Sequence, residues 1–371
     1  MSKTLFVSTC GISLLSNGAT TTERELLTRT ANFLADEFIG PEKLVVDNRM
    51  RLQADTLMIS SLIEARRLSA ELNGILGSYG GVFPPRSSDL HILLHTDTYQ
   101  GEVVATALAE WLRSKNLNAN VQLVHELTTR TVSDFRAGIS SLIQWCEESL
   151  PGYREQKYRI VFNLSGGFKS LQGFMQTLGM FYADELVYIF ENNTEILRIP
   201  RIPIEISASI HQTLRKHLRV FRQLGRPGST LSKDPLRDIP ETLLFELDGE
   251  VELSTWGRLA WERSKSELYR EQILDPLSAN LTFSAEVRHQ AASLQPDSIA
   301  TFNERMDDLS HYLDSERKIA IQRLDFKQLK GNPCPPSTHE CDLWANRGAW
   351  RAFGHFEGQK YLVDKIGLGL H

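Results

Sequence analysis

Two stretches of this sequence combine residue types that can do chemistry. The first is "FNLSGGFKSL", residues 162–171, where Asn163, Ser165, Gly166, Gly167, Lys169 and Ser170 follow the apolar run Arg159 to Phe162. Glycines at that point let the backbone enter φ > 0 and come close to a ligand, while the hydroxyls and the first amides of the next helix aim donors at one spot. The natural guest of such a turn is an anion. A phosphate-binding P-loop is excluded on spacing, because Lys169 follows Gly167 across a single Phe168 and the four-residue gap before Gly-Lys-Ser/Thr is missing. Two further polar loops have suitable chemistry: "STCGISLLSNG", with Thr9, Cys10, Gly11 and Ser13, and "HTDTYQG", with Thr96. The second stretch is the C-terminal tail. Lys327, Lys330, Arg347, Arg351, Lys360 and Lys365 outnumber the acids Glu340, Asp342, Glu357 and Asp364 there, and His339, His355 and His371 lie among them. On charge alone a solvated basic face accounts for this stretch as well as a site does.

Something must position these residues. Up to about residue 204 the short apolar runs "TLFVS", "LHILLH", "NVQLVH", "YRIVFNLS" and "ELVYIF" alternate with longer segments of three- and four-residue apolar spacing, among them "ADTLMISSLIEARRLSAELNGIL" read as one helix. That alternation predicts βα units around a mostly parallel sheet, with the three polar loops at the carboxyl ends of its strands. The segment "EILRIPRIPIEI" reads as a closing hairpin. Residues 206–277 then turn helical, with the strand-like "LLFELDG" between helices, and a winged-helix or linker bundle is expected. From residue 278 onward a strand, two helices, a polar stretch and the pair "RGAWRAFGHF" and "KYLVDKIGL" read as a small domain with an antiparallel sheet.

The composition sets bounds. A chain of 371 residues with 41% apolar and 23% charged residues is an ordinary globular sequence of two or three domains. A net charge of −5 carries no global basic field, so any RNA contact has to be local. Four scattered cysteines make no disulfide framework, and a reducing cytoplasm is expected. The start "LFVSTCGISLL" reads as a buried strand plus loop rather than a signal peptide, and no run reaches the roughly 18 apolar residues of a membrane helix.

The order Asn163, Ser165, Gly166, Gly167, Lys169, Ser170 resembles the Asn-x-Thr/Ser-Gly-Gly-x-Lys signature of CARF domains, and "STCGISLL" resembles their first glycine/serine loop. This resemblance covers residues 1–205 and implies a Rossmann-like sensor of cyclic oligoadenylate, the messenger of type III CRISPR complexes. Cyclic tetra-adenylate is the expected ring. It further implies a homodimer with the ring on its two-fold axis, where an isologous interface presents the same loop twice. The implied ligand contacts are Thr9, Cys10, Gly11, Ser13, Thr96, Asn163, Ser165, Gly166, Gly167, Lys169 and Ser170. In ring-nuclease members a lysine at the Lys169 position and a first-loop hydroxyl, here Ser13 or Thr9, help cleave the messenger.

The tail, residues 278–371, resembles the RelE superfamily of mRNA interferases through "NLTFSAEVRHQAASL", "FKQLKG", "GAWRAFGHFEGQKYLVD" and a terminal histidine. That resemblance implies an α+β ribonuclease domain acting on mRNA in the ribosomal A site, without metal or cofactor, with Lys327, Lys330, Arg351 and His371 as catalytic residues and Arg347 as a further candidate. The whole chain then resembles a CARF–RelE fusion, in which cyclic oligoadenylate is an allosteric activator. The alternatives are a ligand-controlled winged-helix regulator of DNA, for which "SIHQTLRKHLRVFRQL" has the charge, and a ring nuclease with an inert tail. Arg305 and His311 have the loose Arg-x(4–6)-His spacing of HEPN ribonucleases, but they stand about 120° apart on a helix and are read as surface residues. Cys334, His339 and Cys341 lack a nearby fourth zinc ligand, so a structural role is expected.

Overall fold

The structure is a computed structural model that describes residues 3–84, 87–167, 169–190, 195–226, 228–233, 236, 238–247, 249–319, 321–331, 333–345 and 348–370. The chain divides into two compact units, Met1–Glu205 and Ile206–His371.

The first unit is built from β1 (Lys3–Thr9), the helices α1 (Ser13–Ser16), α2 (Thr21–Arg29), α3 (Pro41–Ile59), α4 (Leu62–Leu68) and α5 (Ala70–Ser78), then β2 (Leu90–His95), α6 (Tyr99–Ser114), β3 (Asn118–Leu123), α7 (Val132–Glu155), β4 (Tyr158–Asn163), α8 (Lys169–Tyr182), β5 (Glu185–Ile189) and β6 (Ile196–Pro200). Its sheet runs β3-β2-β1-β4-β5-β6, parallel except for β6. The central strands are buried on both faces, which is why they read as continuous apolar runs. The chain reverses its winding between β1 and β4, so the loops leaving these two neighbouring strands flank the topological switch point, where open α/β sheets bind ligands.

Two local readings differ from the structure. The run read as one helix through residue 76 is broken by its serines: α3 stops at Ile59, Ser61 opens α4 with a reciprocal capping box to Glu64, and the Ser69 hydroxyl accepts from the Leu72 amide to open α5. This break puts Glu71 in the first turn of α5. The expected hairpin after β5 is a single strand, β6, because prolines at 200 and 203 have no N–H to extend a ladder.

The second unit contains α9 (Ala208–Lys216), α10 (Leu218–Leu224), β7 (Leu231–Ser232), β8 (Leu244–Leu247), β9 (Glu250–Leu253), α11 (Thr255–Tyr269), β10 (Leu281–Phe283), α12 (Ala285–Ala292), α13 (Pro296–Asp314), β11 (Lys327–Gln328), β12 (His339–Trp344), β13 (Trp350–Glu357) and β14 (Lys360–Leu368). A three-stranded sheet, β7-β9-β8, accompanies the first three helices, and a five-stranded sheet, β10-β14-β13-β12-β11, follows. The larger sheet is antiparallel apart from the β10–β14 pair, and α12 and α13 pack Val287, Phe302, Met306 and Leu309 against Cys341, Ala352, Tyr361 and Val363. Residues 206–277 join this unit rather than forming one of their own. Arg222 of α10, buried, makes a bidentate ion pair with Asp307 of α13, and the Tyr269 hydroxyl at the end of α11 donates to the same carboxylate at 2.5 Å. Among the described residues, no helix is long and apolar enough to cross a membrane.

Candidate functional site

At the carboxyl edge of the first sheet the two glycine loops touch. The Thr9 hydroxyl donates to the Gly166 carbonyl at 2.9 Å, and Asn163 Nδ2 donates to Ser8 Oγ at 3.2 Å. Asn163 Oδ1 accepts from the Ser165 amide at 3.2 Å and fixes the turn that follows β4. Gly167 sits at φ +96, and a Cβ there would come within 2.7 Å of Thr9 Oγ1, so only glycine lets the second loop lie on the first. Lys169 and Ser170 are exposed at the start of α8, where the helix's amino end favours an anion.

The structure thus gathers Thr9, Gly11, Ser13, Asn163, Ser165, Gly166 and Gly167 at one place, but their side chains differ in what they can offer. Thr9 is 3% exposed and its hydroxyl is committed to Gly166. The Cys10 side chain lies in the apolar core, its thiol held well above its usual range by burial and by the nearby Glu71 charge, and it presents nothing to a ligand. Thr96 is buried and shares a 2.9 Å hydroxyl contact with Thr98, the cap of α6. The residue that sequence reasoning missed is Glu71. Its buried carboxylate accepts from the Gly11 amide, the Ser13 hydroxyl and the Ser69 hydroxyl. The signal for it was a carboxylate among the leucines of "LSAELNGIL".

On the second sheet, alternation sends Cys341 and Leu343 toward α13 and Glu340 and Asp342 to the other face. Register places Lys327 opposite Glu340 and Arg351 opposite Asp342. Arg351, only 13% exposed, forms an ion pair with Asp342, and its Nε stands 4.0 Å from Glu340. Lys327 pairs with Asp325 and lies 3.8 Å from Glu340. Lys327 and Arg351 therefore share the buried Glu340 carboxylate, a partner with no mark in the sequence beyond its place in a polar run. Lys330 is exposed just beyond β11. Arg347 and His371 lie outside the described residues.

Other residues singled out in the sequence have structural surroundings. Arg305 is not the surface residue expected of it: its side chain is 18% exposed and lies 3.6 Å from Asp308 on α13. His311, on the same helix, is half-buried, and burial followed by the Arg226 charge holds its imidazole below the usual range. Cys334 and Cys341 are buried, with the Cys341 thiol pushed up to about 12 by desolvation, and His339 stacks on Phe326. Among the described residues no cluster of three or more histidine, cysteine or acidic side chains could hold a metal ion. The basic residues of α9 and α10 are engaged within the unit: Arg215 with Glu271, Lys216 with Asp238, Arg219 with the carbonyls of Pro276 and Leu277, and Arg222 with Asp307.

One further cluster looks like hydrolytic machinery and is not. Ser337 Oγ donates to Asp364 at 2.7 Å, and His355 Nδ1 lies 2.9 Å from the same carboxylate oxygen. Serine and histidine both bond the acid and not each other, so no proton relay to the serine exists. The pairing with Asp364 raises the His355 pKa above its usual value. Its contribution to stability is therefore complete below the unfolded value of about 6.5 and is lost as pH rises through the higher folded value. Thermal unfolding of His355→Gln should lack that decline above pH 6.5; the same decline in the variant would assign it to another group.

Residues 66–202 match a family model described as CRISPR-associated protein (Cas_APE2256). The matched stretch holds Glu71, Thr96 and all of residues 163–170, and begins after the first glycine loop. Among solved structures, Can2 from Sulfobacillus thermosulfidooxidans in complex with cyclic tetra-adenylate is similar at 12% identity over 79% of this chain and 76% of that one, with a TM-score of 0.25. No curated protein matches the chain.

Proposed function

We propose that the chain is a cyclic-oligoadenylate-activated, ribosome-dependent mRNA endoribonuclease of type III CRISPR defence, working as a homodimer in the cytoplasm and needing no metal for cleavage. The observation that carries the reading is the pair of glycine loops held in contact at the switch point of the first sheet, with Lys169 at the adjoining helix start. The match of residues 66–202 to a CRISPR-associated family supports it. In the second unit, Lys327 and Arg351 stand together on the sheet face away from α13, as cleavage by the substrate's own 2′-hydroxyl requires. The ribosome would present the codon, so a sparse set of cations suffices. Binding in the first unit can activate the second only through a difference in messenger affinity between two states of the chain.

The rival readings are less well supported. A recognition helix for DNA needs free basic side chains, and those of α9 and α10 have partners in their own unit. A messenger-cleaving activity in the first unit would have to use Ser13 or Thr9, whose hydroxyls both already donate to protein acceptors.

The test incubates the full chain with translating ribosomes, mRNA and each cyclic oligoadenylate in turn, and maps the mRNA ends. The expected result is cleavage within ribosome-bound codons that appears only with one ring size. Cleavage independent of messenger, or equal cleavage of free mRNA, would overturn the reading.

A further inference from the structure

We infer that Glu71 is a positioning residue of the anion site: it occupies the donors of the first glycine loop and so confines a phosphate to the donors of the second. The Glu71 side chain is fully buried, at 0% exposure. Its Oε1 accepts from the Gly11 amide at 2.8 Å, and its Oε2 accepts from Ser13 Oγ at 2.7 Å and Ser69 Oγ at 2.6 Å. Its backbone carbonyl accepts from Asn163 Nδ2 at 3.0 Å, which ties the same turn of α5 to the second loop. A Cβ on Gly166 would fall 2.1 Å from Oε1, so the second loop closes directly over the carboxylate.

A buried carboxylate is tolerated when hydrogen bonds satisfy it, and here three neutral donors do so; among the described residues no lysine or arginine pairs with Glu71. The amide and hydroxyl that a glycine/serine loop would turn toward a phosphate are thus already turned toward an anion of the protein. A phosphate brought to the same donors would have to displace Glu71 or lie beside its charge. The exposed donors at this edge are Lys169 and Ser170, in the first turn of α8 beside the second loop.

The geometry gives the glutamine variant an unusual sign. In Glu71→Gln the Oε1 contact with Gly11 is kept. The new amide N–H groups face Ser13 Oγ and Ser69 Oγ, and each hydroxyl oxygen already accepts one backbone N–H, from Ala70 at 3.0 Å and Leu72 at 3.2 Å. Each has a second lone pair, so both can accept from the amide and the loop keeps its shape. The Ser13 hydroxyl hydrogen is then released and the buried negative charge is gone. Glu71→Ala removes the pin altogether.

Calorimetric titration of the full chain with cyclic tetra-adenylate, repeated with inorganic pyrophosphate, tests this. Glu71→Gln should bind on the order of tenfold more tightly than the unaltered protein, and Glu71→Ala at least tenfold more weakly. A purely structural glutamate would weaken both variants. The inference rests on the messenger reading only for its first probe: a chain blind to cyclic tetra-adenylate fails that reading, while the pyrophosphate ratio still decides the role of Glu71. A glutamine variant that gains affinity for neither probe overturns the inference. Should Glu71→Ala not fold, the glutamine comparison decides alone.

Discussion

Arg351→Ala should reduce messenger-activated cleavage of ribosome-bound mRNA by on the order of 100- to 1000-fold, the cost of about 2.7 to 4 kcal/mol for one lost transition-state contact. Arginine's planar fork can hold two phosphate oxygens at once, so Arg351→Lys should already impair cleavage although it keeps the charge. The structure adds a reason for the alanine variant to be severe. Arg351 balances Asp342 and stands beside the buried Glu340, so removing it leaves two acids against Lys327 at the place the proposed cleavage assigns to the phosphate. Affinity for the proposed messenger, together with the unfolding temperature, is the control for folding. Deleting His371 is the companion test of the resemblance at the chain's end. If both variants cleaved at the unaltered rate, the chemistry would lie elsewhere, and Arg305 with His311 on α13 would be the next pair to change.

What was legible in the sequence follows the range of the interactions. The strands of the first unit stand out because a parallel sheet covered on both faces needs unbroken apolar runs, and the glycine loops stand out because their chemistry is local to ten residues. Glu71 was hidden because its partners lie 58 to 60 positions away for Ser13 and Gly11, and 92 positions away for Asn163. Only the fold shows that the donors of the first loop are already taken. Arg351 could be singled out, but its pairing with Asp342 depends on the register of β12 against β13, and β12 lies in a stretch whose polar residues disguise a strand. In α10 the limit is plainer. A basic helix reads as a surface for nucleic acid until its acceptors, such as Asp307 at 85 positions' remove, are known.

That last pair gives the largest expected effect on stability. Arg222 has a side chain only 4% exposed, and its guanidinium meets Asp307 through Nε at 3.1 Å and Nη2 at 2.6 Å while Nη1 donates to the Asp275 carbonyl at 3.0 Å. Asp307→Ala removes the counter-charge, leaves the Tyr269 hydroxyl without its acceptor, and strands a guanidinium that cannot lose its proton. Breaking a buried pair from one side costs about 3 to 5 kcal/mol. For a unit of this size that corresponds to a fall of about 6 to 20 °C in the unfolding temperature. The double variant Arg222→Met/Asp307→Leu should recover part of the loss, because two apolar side chains of similar volume need no partners, while the Tyr269 hydroxyl still lacks its acceptor. Differential scanning calorimetry of the full chain separates the outcomes. A single variant as stable as the unaltered protein, or a double variant no better than Asp307→Ala, would mean that the pair is not what fastens α10 to α13. The expected coupling would make residues 206–277 part of the second unit's own framework, so that a shift imposed on α10 must be felt by the helix that carries the sheet of Lys327 and Arg351.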